Sequence, residues 1–219
     1  MPFSIVTGDI TRVGAGADAV VNAANSSLAA GGGVCGAIFA AAGHADLQAA
    51  CDRIGHCDTG DAAVTPGFAL CRRIVHAVGP VWRGGRGGED HTLRRCWRSA
   101  LEKARDAGAY TVFAPLISAG IYGYPPDQAL AVAVSEIGAF LTENDLDVTL
   151  VIYDRAAFRL PAPLRGALAA HLAEVPAADA LPVSGRPGSG RPDSPAPSGN
   201  STSRGSQTVE STNPERTPG

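Results

Sequence analysis

Apolar and polar positions change period along this chain. Short runs rich in Val, Ile, Thr and aromatic residues alternate with longer runs whose apolar positions recur at helical spacing. The short runs predict strands over 3–7, 18–23, 62–66, 73–79, 110–116 and 147–153. The longer runs predict helices over 33–42, 45–54, 90–107, 126–141 and 156–173. In the fourth helix, Ala129, Val132, Ala133, Ile137 and Phe140 form one apolar stripe. Pro126 suits its first turn, where a missing N–H costs nothing. Strands alternating with helices predict an α/β fold, with a mixed, largely parallel sheet covered on both faces. In such folds ligands collect at the carboxyl ends of the strands.

Composition changes near Pro176. Residues 176–219 are mostly Pro, Gly, Ser and Thr with scattered charge, too few apolar groups to offset the entropy of ordering. They are expected to form a disordered tail behind one domain over residues 1–175. The net charge of −3 predicts no general attraction to nucleic acid or to anionic membranes. The first ten residues, MPFSIVTGDI, carry no basic leader and no apolar segment typical of a signal peptide. No apolar run is long enough to span a bilayer. The five cysteines, Cys35, Cys51, Cys57, Cys71 and Cys96, are odd in number and irregularly spaced, which favours reduced thiols. A cytoplasmic monomer is expected.

Three segments fit the strand-end rule. VTGDI (6–10) follows a strand and ends in Asp9 and Ile10. A carboxylate there accepts hydrogen bonds from an amine or a ribose hydroxyl, or caps its own turn. NAANSSLAAGGGVCGAIF (22–39) leaves a strand through a glycine loop into a helix, so backbone amides meet phosphate oxygens with no side chain between. PLISAGIYGYP (115–125) leaves another strand through Ser118, Gly120 and Gly123, a second amide-rich loop over which IYGYP can close. Two such loops suggest two jaws on a diphosphate. No Walker lysine follows either, which excludes a P-loop.

Together GDIT, VVNAANSSL, GGGVCGAIF, CDTGDAAVTPGFAL, IVHAVGPVW and LISAGIYGYP resemble a macrodomain, over about residues 3–173. The similarity is to the bacterial O-acetyl-ADP-ribose deacetylases and related mono-ADP-ribosyl hydrolases. It implies a three-layer α/β/α fold with a deep cleft for ADP-ribose. It implies that Asp9 receives the adenine amino group with the Ile10 amide beside it, and that Asn25 holds the distal ribose. Gly32, Gly33 and Val34 match the first phosphate loop; Ser118, Ala119, Gly120, Ile121, Tyr122 and Gly123 match the second. Tyr153 sits where an aromatic ring lies against adenine, and Asn22 is counted with the ligand-binding residues.

The departures lie at the distal end. Relatives of the hydrolase type usually read GGGVDGAIH, where this chain has Cys35 for the aspartate and Phe39 for the histidine. Ala119 replaces a threonine often found in the second loop. The family aspartate activates or orients a water at the distal ribose. Cys35 is therefore either a space-filling replacement or a functional thiol, and is counted with Asn25 as a catalytic candidate. His44, Cys51, His56 and Cys57 do not have closed zinc spacing, and no metal or redox cofactor is expected. Residues 82–105 concentrate Arg83, Arg86, Arg94, Arg95, Arg98, Lys103 and Arg105. These form either a solvated helix face or a contact to nucleic acid. The expected function is hydrolysis of an ADP-ribose conjugate at its distal ribose, with an ADP-ribosylated macromolecule as partner. The alternatives are an ADP-ribose reader without turnover and an eraser for nucleic-acid-linked ADP-ribose.

Overall fold

The computed structural model describes residues 3–153. The helix expected over 156–173 and the tail expected over 176–219 lie outside the described residues. Six strands run β1 (Phe3–Thr7), β2 (Ala19–Ala23), β3 (Ala62–Pro66), β4 (Arg73–Ala77), β5 (Thr111–Pro115) and β6 (Asp147–Ile152). Among the described residues five helices join them: α1 (Ile10–Val13), α2 (Gly33–Ala42), α3 (His44–Ile54), α4 (Glu89–Asp106) and α5 (Pro126–Leu141). The predicted strands and helices match these to within two residues, except α1, which the apolar pattern does not predict.

The sheet order is β1-β6-β5-β2-β4-β3. All neighbours pair in parallel except β3, which runs antiparallel to β4 along the edge. Pro66 ends that edge strand, where a missing ladder donor is tolerated. The chain moves from β1 across to β2 and out to the β3–β4 edge, then returns through β5 and β6. The winding therefore reverses between β2 and β5. Their ladder is also short: only Ala19–Val112 and Val20–Phe113 are in register, whereas β2 and β4 pair along all five residues.

Each face of the sheet has its own core. On one, α4 and α5 bury Trp97, Leu101 and Ile137 against Val75, Val112 and Leu150. On the other, α2 and α3 bury Ile38, Phe39 and Leu47 against Val20, Ile74 and Val151. Each large side chain so buried stabilises the fold by roughly 1.5–3 kcal/mol. Two layers of helices around one sheet make the three-layer α/β/α arrangement. The polar side of α4 is laced to its neighbours. Arg94 pairs with Asp90 and with Glu136 of α5, and Arg98 pairs with the second oxygen of Glu136. Arg95 donates to the carbonyls of Thr59 and Gly60.

Candidate functional site

A cleft opens over the carboxyl ends of the parallel strands, at the switch between β2 and β5. It has two adjoining halves. The wide half, about 500 Å³, lies over the ends of β1, β6 and β5. The narrow half, about 290 Å³, lies over the ends of β5 and β2 and over Gly79, two residues past β4. Gly33, Val34, Leu116 and Gly120 line both, so the two glycine loops form a waist between them.

The wide half is mainly apolar, walled by Val34, Leu116, Ala119, Val151 and Ile152, with Tyr153 exposed at its rim. Such walls suit a flat aromatic ring. Asp9 sits at its far end. Its Oδ1 accepts from the Thr11 hydroxyl at 2.7 Å and the Thr11 backbone N–H at 2.9 Å, capping α1. These bonds hold the carboxyl below the usual carboxylate range. Oδ2 is left to accept from a ligand. Ile10 opens α1, so its amide has no intrahelical partner.

At the waist the loops approach closely. A methyl group on Gly32 would stand 3.1 Å from Ile121 Cδ1, so the exposed Ile121 arches from the second loop over the first. The second loop is closed by Gly123 N–H donating to Gly120 O and Tyr124 N–H donating to Ser118 O. Ile121 and Tyr122 overhang the narrow half. Tyr124 is instead a buried anchor, its ring 4.6 Å from that of Trp82. Gly123, at φ 68°, shapes the turn and does not line either half of the cleft.

The narrow half brings Asn25, Cys35 and Ser118 together. Asn25 builds its own loop: Oδ1 accepts from Ser27 Oγ and Ala29 N, while Nδ2 donates to Ala29 O at 2.7 Å. One Nδ2 proton remains for a ligand. Ser118 holds a left-handed backbone, φ 66°, and its buried hydroxyl has no protein partner among the described residues. A methyl on Gly79 would overlap that hydroxyl, so the residue after HAV must be glycine for the loops to meet.

Asn22 is not part of the cleft wall, contrary to expectation. It is fully buried behind it. Its Nδ2 donates to His76 Nδ1 at 3.1 Å, its cross-strand partner in β4, and lies 3.6 Å from Cys35 Sγ. With Nδ1 accepting, the imidazole proton sits on Nε2, 2.9 Å from Thr65 Oγ1 and 3.7 Å from Cys51 Sγ. Burial lowers the His76 pKa to about 4, so the ring is neutral near pH 7. A buried polar chain thus reaches the floor of the narrow half at Cys35. Phe39 is also buried, edge-on to His44 and His76, and belongs to the core. All five cysteines are free thiols. Among the described residues, no group of three or more His, Cys, Asp or Glu converges as a metal site.

Sequence patterns alone do not single out His76, Gly79, Leu116, Val151 or Ile152. The last three follow from the strand-end rule once strand order is known. His76 has one signal, a lone histidine in the apolar run RIVHAVG.

Residues 21–133 match the family model described as the Macro domain. A Macro domain-containing protein of Methanosarcina mazei is 46% identical over 154 residues, spanning 69% of this chain and 81% of the relative. The O-acetyl-ADP-ribose deacetylase of Salmonella gallinarum is 45% identical over 169 residues, spanning 74% and 93%. The solved Oceanobacillus iheyensis macrodomain with ADP superposes with a TM-score of 0.66 at 36% identity, covering 78% of this chain and 90% of that one. A cleft at the switch point, two facing glycine loops and this degree of likeness lead to one assignment: the chain belongs to the macrodomain family.

Proposed function

We propose that the cleft binds ADP-ribose and that the chain hydrolyses ADP-ribose conjugates at the distal ribose. The carrying observation is the waist: two amide-rich loops joining a wide apolar half, with a carboxylate at its end, to a narrow half holding Asn25 and Cys35. Adenine fits between the apolar walls with its amino group on Asp9 Oδ2. The diphosphate crosses the waist against backbone amides. The distal ribose enters the narrow half, where the free N–H of Asn25 meets its hydroxyls. Water adds to the anomeric carbon, whose bond to the acceptor breaks and leaves the acceptor with the proton, or to the acyl carbon of an ester, whose bond to the ribose oxygen breaks and leaves the proton on that oxygen and the acceptor as the free acid. The rate comes from positioning and oriented dipoles rather than from a strong base.

By the resemblance to the hydrolases, Cys35 takes the position of their carboxylate. A thiol sulfur is a poorer hydrogen-bond acceptor from water than a carboxylate oxygen, so in this reading Cys35 is not the essential general base. This substitution also favours a second reading, a binding module without turnover. Both are tested by kcat on a panel of O-acetyl, Glu-, Ser- and DNA-linked ADP-ribose. Asn25→Ala is expected to cut kcat at least about tenfold, or roughly 1.4 kcal/mol of barrier, and Cys35→Ala to cost less. Abolished turnover in Cys35→Ala with unchanged ADP-ribose affinity would make Cys35 catalytic. No turnover on any substrate, with ADP-ribose still bound, would leave the binding module.

A further inference from the structure

The loop between β4 and α4 reads RGGRGG, two Arg-Gly-Gly units in tandem over residues 83–88. All six residues are exposed. The loop is braced. Glu89, buried at the start of α4, accepts from the backbone N–H groups of Arg83 at 2.9 Å, Gly85 at 3.3 Å and Gly87 at 2.6 Å. A methyl on Gly85 would meet the Trp82 ring at 2.9 Å, so that glycine serves the path of the loop. Nothing comparable accounts for the two arginine side chains. The other arginines of this region each have a protein partner: Arg94, Arg95, Arg98 and Arg105. The guanidinium groups of Arg83 and Arg86 have none among the described residues.

The loop is also tied to the cleft. Gly79, which starts it, lines the narrow half, and Arg83 lies four residues on, at most about 14 Å along the chain. Trp82 N–H donates to Tyr122 O at 2.9 Å, joining it to the loop that overhangs the distal ribose site. Nearby acids are already engaged. Glu89 is saturated by amides, Asp90 holds Arg94, Asp61 faces Arg95 and Asp58 pairs with His56. Two unneutralised cations are therefore carried on the loop that runs out from the narrow half, where an acceptor would leave the distal ribose.

We propose that Arg83 and Arg86 bind backbone phosphates of a single-stranded nucleic acid whose ADP-ribosyl group occupies the cleft. The proposal rests on the ADP-ribose reading of that cleft. Glycine flanks let a phosphodiester backbone approach the guanidinium forks without side-chain bulk, and Arg-Gly-Gly segments suit flexible single strands. The overall charge of −3 opposes non-specific binding, so the contact operates locally, on a strand already held by its ADP-ribose.

The test compares three ligands at roughly 50 mM salt and above: free ADP-ribose, a short single-stranded DNA carrying one ADP-ribose, and a glutamate-rich peptide carrying one. The proteins are wild type, Arg83→Ala/Arg86→Ala, and a charge-matched control, Arg73→Ala/Lys103→Ala, at residues that line neither half of the cleft. Wild type and control should bind the DNA conjugate at least about fivefold tighter than ADP-ribose at low salt. The loop variant should lose that gain, with its salt slope lower by about 1.4, for two single-strand phosphates. Its affinity for ADP-ribose should not change. A DNA gain that survives the loop variant, no gain in wild type, or a gain for the peptide instead would each overturn the proposal while leaving the cleft assignment standing. Failure of every protein to bind free ADP-ribose would overturn the cleft assignment itself, and this contact with it.

Discussion

Asp9 combines two uses in one side chain, and each oxygen has its own. Oδ1 caps α1 through Thr11, and in the proposed binding mode Oδ2 accepts from the exocyclic amine of adenine. Asp9→Ala should therefore weaken ADP-ribose by about 1–3 kcal/mol, the cost of leaving the adenine amine without an acceptor in a shielded site. Ribose 5-phosphate, which lacks the base, should be barely affected. Calorimetry giving equal losses for both ligands would remove Asp9 from the adenine end. Removing the cap costs about 1 kcal/mol of stability in the same variant, so melting is measured alongside. The turn and ligand uses of this aspartate, alternatives on sequence alone, are compatible because a carboxylate has two oxygens. The two asparagines are harder to separate. Asn25 lies past the end of β2, in a loop it builds itself, whereas Asn22 is a strand residue on the same face as Val20. Strand parity turns Asn22 under α2. The local sequence does not contain the cross-strand register that sets it beside His76.

At the scale of elements, most of the fold is legible because its helices and strands differ sharply in period. The helix over Gly33–Ala42 and the strand over Ala62–Pro66 fall at their expected ends. α1 escapes the pattern because four residues carry no periodic signal; only its cap pair, Asp9 and Thr11, marks it. The antiparallel β3 edge and the short β2–β5 ladder are long-range pairings, absent from any local pattern. The polar pairs across β2, β3 and β4 have a consequence for pH. His76 titrates near 4 when folded, against about 6.5 for a free histidine. Its folded value is depressed, so its contribution is complete above pH 6.5 and is lost as pH falls towards 4. The unfolded chain takes up the proton first, and the loss near pH 4 is on the order of 3 kcal/mol. Wild-type melting temperature should fall between pH 6.5 and 4 more steeply than that of His76→Gln, whose amide does not titrate. Equal slopes would mean that His76 is protonated in place or that the β2–β4 pairing opens.

At the scale of the whole molecule, reversal of winding at β2 and β5 places the cleft between strands that drift apart after two residue pairs. Among the described residues its walls run from Gly8 to Tyr153, drawn from both ends of the described chain. A ligand spanning both halves therefore joins β1, β6, β5 and β2 through one molecule, which neither an adenosine nor a ribose phosphate alone can do. ADP-ribose at about 100 times its Kd should stabilise the native state by about 2.7 kcal/mol. For a domain of this size that raises the melting temperature by roughly 5–10 °C. Adenosine monophosphate and ribose 5-phosphate at the same concentration should each raise it by less than half as much. A chain ending near Val175 retains every described cleft residue, so its melting temperature and its ADP-ribose shift should equal those of the full chain. Equal shifts for ADP-ribose and one of its halves would confine binding to one side of the waist. A smaller shift in the shortened chain would mean that residues beyond 175 contribute to the ligand site, and that the domain boundary belongs further along the chain.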